Sequence, residues 1–173
     1  MLDLGEWPDA RVLQGRRVQL EPLQVEHAQE MAPLLDDPEL HVFTGGEPAG
    51  VVELQQRYRR QIVGRSPDGC QRWFNWVVRR REDGHVVGTV QATVAEASGD
   101  LTAEVAWVVV TAYQGRGYAR EAAKVMVAWL RRQGTGTVVA NVHPQHEASA
   151  AVARSLALVP TAIVIDGEVR WES

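Results

Sequence analysis

The chain of 173 residues predicts an α/β (α+β) fold, a central, mostly antiparallel mixed sheet of about seven strands flanked by about four helices. Three observations carry that expectation. Runs of period 2 and period 3.6 succeed one another along the whole chain. Ser66-Pro67-Asp68-Gly69, Glu82-Asp83-Gly84 and Asp166-Gly167 supply turn chemistry between strand-like runs. One glycine-rich turn, Gln114-Gly115-Arg116-Gly117-Tyr118-Ala119, joins a valine-rich run to a long helical one.

Arg17-Val18-Gln19-Leu20-Glu21-Pro22-Leu23 alternates apolar and polar residues and reads as the first strand. Val25 to Leu35 has helical spacing and is closed by Asp37-Pro38. A glycine- and proline-rich loop, Thr44 to Gly50, leads into a second helix from Val51 to Val63. Trp73 to Arg80 and Val86 to Val94 flank Glu82-Asp83-Gly84 as a hairpin, and Ser98-Gly99-Asp100 turns into a strand from Leu101 to Val110. The helix from Ala119 to Arg132 stops at Gly134 and Gly136. Thr137 to Val142 is a strand and Glu147 to Leu156 a helix; Thr161 to Ile165 and Glu168 to Trp171 close the chain as a hairpin. With no internal repeat, low-complexity segment or linker, residues 1–173 read as a single domain.

Composition narrows the function. Hydrophobic residues at 45% and charged residues at 23% are the balance of a soluble globular protein. A formal charge of −4 argues against a nucleic-acid partner, whose phosphates need a basic surface. Arg57/Arg59/Arg60 and Arg79-Arg80-Arg81 read first as solvated faces and second as anchors for a phosphate or acidic group. Cys70 is alone, which excludes an intrachain disulfide and fits a reducing, cytoplasmic home. Met1 to Glu6 lacks the basic start and apolar core of a signal peptide, and no apolar run reaches the length of a membrane span. The five histidines show no helical ligand pair, so no metal is expected. Of the six tryptophans, Trp107 and Trp129 read as packing residues. Trp73, Phe74 and Trp76 occupy both faces of one strand, so at least one meets a substrate or a partner. Strand edges leave a monomer and a homodimer both open.

The glycine turn carries the chemistry. A tight turn between strand and helix leaves backbone N–H groups unpaired at the positive end of the helix dipole, a site for phosphate or pyrophosphate. Gly115 and Gly117 let the backbone approach such a ligand. The mononucleotide loop is excluded because Arg116-Gly117-Tyr118 lacks its Gly-Lys-Ser/Thr ending. The dinucleotide fingerprint is excluded because Arg120 stands where its third glycine belongs.

Gln114-x-x-Gly117-x-Ala119 after a valine-rich strand resembles motif A of the GNAT superfamily of N-acetyltransferases. Val87-Gly88-Thr89, Glu104-Val105-Ala106-Trp107, the string from Gly115 to Ala122, and Pro144 to Ser149 follow in the order seen in the branch containing ribosomal-protein-alanine acetyltransferases. The resemblance runs from Leu20 to Glu168 and implies acetyl-CoA as co-substrate. It places the pyrophosphate at Gln114, Gly115, Arg116, Gly117, Tyr118, Ala119 and Arg120, and the pantetheine arm along Trp107, Val108 and Val109 as an added strand. Backbone N–H groups near Val109 become the expected oxyanion donors.

Acetyl transfer requires a deprotonated amine, a polarised thioester carbonyl, their close approach, and a proton for the departing thiolate. Cys70 lacks a nucleophile signature, so direct transfer is expected. The resemblance makes Glu104 the first choice of base. His146 stands where many relatives carry Asn and offers a base or relay, with His143 beside it. No tyrosine lies in Ala153 to Ala157, where many relatives keep a proton donor, and the closer branch points to Ser149 instead. Ala157-Leu158 replaces a frequent Gly-Phe. The acceptor pocket is expected from His41-Val42-Phe43-Thr44, Tyr58 and the Asp166 to Trp171 turn, with Glu47, Glu53, Asp166 and Glu168 available to attract an ammonium.

The expected function is therefore transfer of acetyl from acetyl-CoA to the primary amine of a small molecule. The lack of a basic surface disfavours a ribosomal partner. Two further readings stand beside it, an N-terminal protein or peptide acetyltransferase and a non-catalytic acyl-CoA-binding sensor.

Overall fold

A computed structural model describes residues 4–43 and 45–173; Met1, Leu2 and Asp3 of the N-terminal reading and Thr44 of the glycine-proline loop lie outside them. The elements are β1 (Leu13–Gln14), β2 (Val18–Pro22), α1 (His27–Leu35), α2 (Val51–Gln61), β3 (Gln71–Arg80), β4 (Val86–Ala97), β5 (Asp100–Val109), α3 (Tyr118–Arg132), β6 (Thr137–Val142), α4 (Glu147–Ser155), β7 (Val159–Ile165) and β8 (Glu168–Glu172). They build one eight-stranded sheet in the order β1-β2-β3-β4-β5-β6-β8-β7. Every neighbouring pair is antiparallel except β5 and β6.

The mixed sheet and its four helices match the expected class, with one strand more than the expected seven. The extra strand is β1, whose two residues are too short to display alternation. β7 also begins earlier than expected, at Val159 rather than Thr161. Pro160 fits inside a strand here because β7 is the edge of the sheet, where one side of the backbone needs no ladder partner.

Alternation along β3 decides what each face packs against. Phe74, Trp76 and Val78 point into the larger core with Met126, Trp129 and Leu130 of α3. Val77, one residue out of phase, joins Met31 of α1 and Leu54 and Tyr58 of α2 on the other face. Trp129 stands edge-on to Trp76 at 5.6 Å and to Phe74 at 5.2 Å, a geometry that adds about 0.5–1.5 kcal/mol per pair beyond the area buried. Trp129 is thus a core residue, as expected, while half-buried Trp73 is left on the α1/α2 side.

Local chemistry sets the element ends. α3 closes in a Schellman arrangement: the Thr135 amide donates to the Leu130 carbonyl, and Gly134, at φ +103°, donates to Arg131. The β7–β8 hairpin turns on Asp166 and Gly167, both with positive φ, as a two-residue type I′ turn requires. Among the described residues no helix is long and apolar enough to cross a membrane.

β2, β3 and α1 are tied together by charge. The Glu21 carboxylate accepts from the Arg79 guanidinium and from His27 Nε2 at 3.1 Å, and Arg79 also reaches Glu30 at 3.0 Å. Burial pushes the Glu21 carboxyl up, but Arg79 and His27 outweigh it and hold it below its ordinary value. Glu21 therefore supplies stability that is present above its unfolded pKa of about 4.3 and is lost as pH falls through the lower folded value. Glu21→Gln should lower stability near neutral pH by on the order of 1 kcal/mol. The melting-temperature gap to wild type, followed by circular dichroism, should narrow as the solution is acidified below that range.

Candidate functional site

The site begins where a pair of strands stops pairing. β5 and β6 run parallel, in register, only from Thr102/Thr137 through Glu104/Val139. The Gly136 amide, donating to the Leu101 carbonyl at 3.0 Å, closes the pair at its start. Beyond Val139, β6 is paired with β8 alone, with Ala140 opposite Trp171 and Val142 opposite Val169. β5 continues to Val109 against β4 alone. Two strand edges thus lie unpaired beside each other inside the sheet, leaving a gap in its ladder, and their backbone groups call for a strand-like partner.

β4 holds the far end of β5 in place. Gly88 lies opposite Val109, and a Cβ at Gly88 would sit 2.0 Å from the Val108 carbonyl oxygen. Only a residue without a side chain allows β5 this close. A hydrogen bond from Gln114 Nε2 to the Val109 carbonyl, 2.9 Å, fastens the strand end to the glycine turn.

That turn has the expected form. Gly115 at φ +74° and Gly117 at φ +82° are left-handed, and Gly117 occupies the N-cap of α3. The first amide to bond back is Glu121, to the Gly117 carbonyl at 3.1 Å. Among the described residues the amides from Gly115 to Arg120 donate to no other backbone group, so they crowd together at the helix's positive end.

The loop is also clamped from a distance that sequence reading missed. Arg17, just before β2, donates from Nε to Glu121 Oε2 at 2.9 Å and from Nη1 to the Arg116 carbonyl at 2.9 Å. Its guanidinium lies 4.8 Å from the Tyr118 ring centre. Burial pushes the Glu121 carboxyl up, yet the Arg17 amide and guanidinium win and hold it low. Arg80 and Arg116 approach the Tyr113 ring beside the loop, at 5.0 and 5.7 Å. Arg80, expected mainly as a solvated charge, thus stands beside the glycine turn. Arg17 and Glu121 are 104 positions apart, and no local pattern links them.

The two faces of the gap carry different chemistry. Glu104, Ala106 and Val108 alternate out of phase with core residues Ala103, Val105 and half-buried Trp107, so Glu104 is exposed on the α1/α2 side. Asn141 of β6 shares that side, and its Oδ1 is buried with no partner among the described residues. Glu168 of β8 lies near: burial raises its carboxyl, His143 draws it back, and Asp166 and Glu104 push it further up. Phe43 reaches across from the α1–α2 connection to stack on His146, ring centres 4.3 Å apart, and to touch His143 at 5.1 Å. Thr111 Oγ1 donates to Asp37 Oδ2 at 2.6 Å, tying the same connection to the end of β5.

On the α3/α4 side, His146 caps α4 by accepting the Ser149 amide at Nδ1, 3.3 Å. Burial lowers the His146 pKa, and neighbouring His143 lowers it further. The neutral ring then carries its proton on Nε2, so a relay through Nδ1 would require the cap to open. Trp107 Nε1 donates to Ser149 Oγ at 3.0 Å, joining β5 to the first turn of α4.

The structure therefore brings Trp107, Val108 and Val109, the loop from Gln114 to Arg120, Glu104, His146 and Ser149 to the rim of one gap. Tyr58 is a correction: expected in a pocket wall, it is a core residue between α1 and α2, and burial pushes its phenol up to about 12. A separate groove of about 390 Å³ lies along α4 and β8, lined by Val142, Glu147, Arg154, Leu158 and Trp171, and includes neither Glu104 nor the glycine loop.

The sequence family described as acetyltransferase (GNAT) domain matches residues 17–159. Among curated proteins no sequence match is found. Solved structures share the fold. A ribosomal L7/L12 α-N-protein acetyltransferase in complex with coenzyme A superposes with TM-score 0.77 at 14% identity, covering 94% of this chain and 97% of that one. The ribosomal-protein-S5-alanine acetyltransferase from Vibrio fischeri gives TM-score 0.76 at 18% identity, with 94% and 96% covered. A GNAT-family acetyltransferase from Bacillus anthracis gives 0.74 at 14%, with 94% and 96% covered.

The tight approach at Gly88 yields a direct test of how the gap is held. Gly88→Ala forces β5 away from β4 and should cost about 1–3 kcal/mol, read as a lower denaturant midpoint. Gly84→Ala, at a turn where a Cβ meets nothing within 4 Å, pays only for its positive φ and serves as the comparison.

Proposed function

The chain belongs to the GNAT acetyltransferase family, with acetyl-CoA as donor, and from that premise we propose that it moves the acetyl group directly to the primary amine of a small molecule. One observation carries the reading: the gap between β5 and β6 joins the glycine loop to an acidic face on the other side of the sheet. The residues present fit the donor. Free amides from Gly115 to Arg120, held in shape by Arg17, suit a pyrophosphate. The open edge at Trp107, Val108 and Val109 suits the amides of a pantetheine arm, and the N–H groups near Val109 suit a developing oxyanion. Acetyl-CoA supplies an activated acyl group.

Glu104 takes the ammonium proton of the acceptor, directly or through water, leaving a neutral amine to attack. Ser149 gives its hydroxyl proton to the departing sulfur, and His146 supports it from the α4 cap. Glu104, Asp166 and Glu168 form no ion pair among the described residues, and Glu168 is pushed toward its neutral form by burial and by the other two. An acceptor that arrives as a cation relieves that crowding. This favours an ammonium as acceptor, and the net charge of −4 favours a small one over a ribosomal protein.

A second reading has its own support, since two structural neighbours are ribosomal-protein acetyltransferases. Free-thiol release from acetyl-CoA, measured against a panel of small primary amines and N-terminal peptides, separates the two. The expected result is release with small amines. Release with peptides alone selects the second reading, and acetyl-CoA binding without release under any acceptor selects a sensor. Glu104→Gln should lower kcat by about 100-fold while acetyl-CoA affinity stays unchanged. Gly117→Val, strained at φ +82° and crowding Arg17 Nη2 at 3.2 Å, should weaken acetyl-CoA binding by at least about tenfold.

A further inference from the structure

We propose that Trp107 is a positioning residue for acetyl transfer, its indole N–H fixing the Ser149 hydroxyl so that the hydroxyl proton is free for the departing thiolate. The inference rests on the role given to Ser149 above.

The direction of the bond is unambiguous. An indole nitrogen can only donate, so in the 3.0 Å contact Ser149 Oγ is the acceptor and its own hydrogen takes no part. That hydrogen has no acceptor among the described residues. Ser155, on the same helix, is different: its hydroxyl donates back to the Val152 carbonyl at 2.6 Å, the usual fate of a helical serine. Ser149 is held out of that fate from two sides, by Trp107 at Oγ and by His146 at its amide. Phe43, stacked on His146, holds the cap in turn.

The position suits the chemistry. Ser149 lies in the first turn of α4, where unpaired amides and the helix dipole favour negative charge. Trp107 lies on the part of β5 that has parted from β6, so the Trp107–Ser149 bond spans the gap on the face opposite Glu104. Donation by the indole polarises the hydroxyl, strengthening it as a donor and stabilising the oxygen after its proton has left.

The acceptor nitrogen forms the C–N bond while the C–S bond breaks and its electron pair leaves on sulfur. The Ser149 Oγ–H proton moves to that sulfur, giving the free thiol. The proton lost by the acceptor nitrogen returns to Ser149 Oγ through solvent. The products are the N-acetylated amine and the thiol, with no other reactant.

The test is a double-mutant cycle on thiol release with saturating acetyl-CoA and the best small amine of the panel. Trp107→Phe keeps the ring and removes the donor. It should lower kcat about five- to tenfold, leave KM for acetyl-CoA within about twofold, and add no further loss in a Ser149→Ala background. An unchanged kcat, an equal loss in the Ser149→Ala background, or a rise confined to KM would each overturn the proposal. Trp107→His, which restores a ring N–H, should recover more kcat than Trp107→Leu; equal rates in the two overturn it as well, and this pair serves if the Phe variant does not fold. Loss of thiol release in the wild type would instead sink the acetyl-transfer reading, and an unaffected Ser149→Ala would sink the role of Ser149, so the failures are distinct.

Discussion

Everything in this molecule is arranged around a ladder that ends early. β5 and β6 share backbone hydrogen bonds for three register positions and then part in the middle of a sheet. Strand edges are normally found at the rims of sheets, where water or a protective charge answers them. Here an open edge is created between strands each paired on its other side, with β4 holding one and β8 the other. Each strand is thus held from its far side. The open edge offers its backbone groups to a ligand with spaced amides.

The constraint distributes the remaining roles. Because the gap passes through the sheet, side chains of opposite alternation on β5 reach opposite compartments: Glu104 looks toward α1 and α2, Trp107 toward α3 and α4. On the proposed assignment, proton removal from an incoming amine and proton delivery to a leaving thiolate are separated by one sheet thickness. No residue must perform both. Period-2 geometry alone provides the division.

Much of this was legible in the residues. Gly115 and Gly117 announced a turn with positive φ, and Gly134 announced the end of α3, because each position demands a backbone that other residues resist. Trp129 was legible as core from its helical spacing. Three features were not legible. β1 is too short to alternate. Tyr58 could face a pocket or the helix pair beneath it, and only the packing of α1 against α2 decides. Ser149 was visible as a candidate, while its hydrogen bond from Trp107 depends on β5 and α4 meeting across a separation of 42 positions. Sequence periodicity specifies what lies above and below a residue in its own element; it is silent about the element facing it.

The Arg17 clamp bears on how far the glycine loop is a self-contained motif. The letters from Gln114 to Ala119 set the turn, but its outer edge is held by a guanidinium from the residue just before the second strand of the chain. Grafted onto another scaffold, the segment from β5 to α3 would carry the sequence of an anion cradle without the brace that fixes its shape. The recognisable signature and the working site are different lengths of protein: the first fits in six residues, the second needs the sheet from β2 onward.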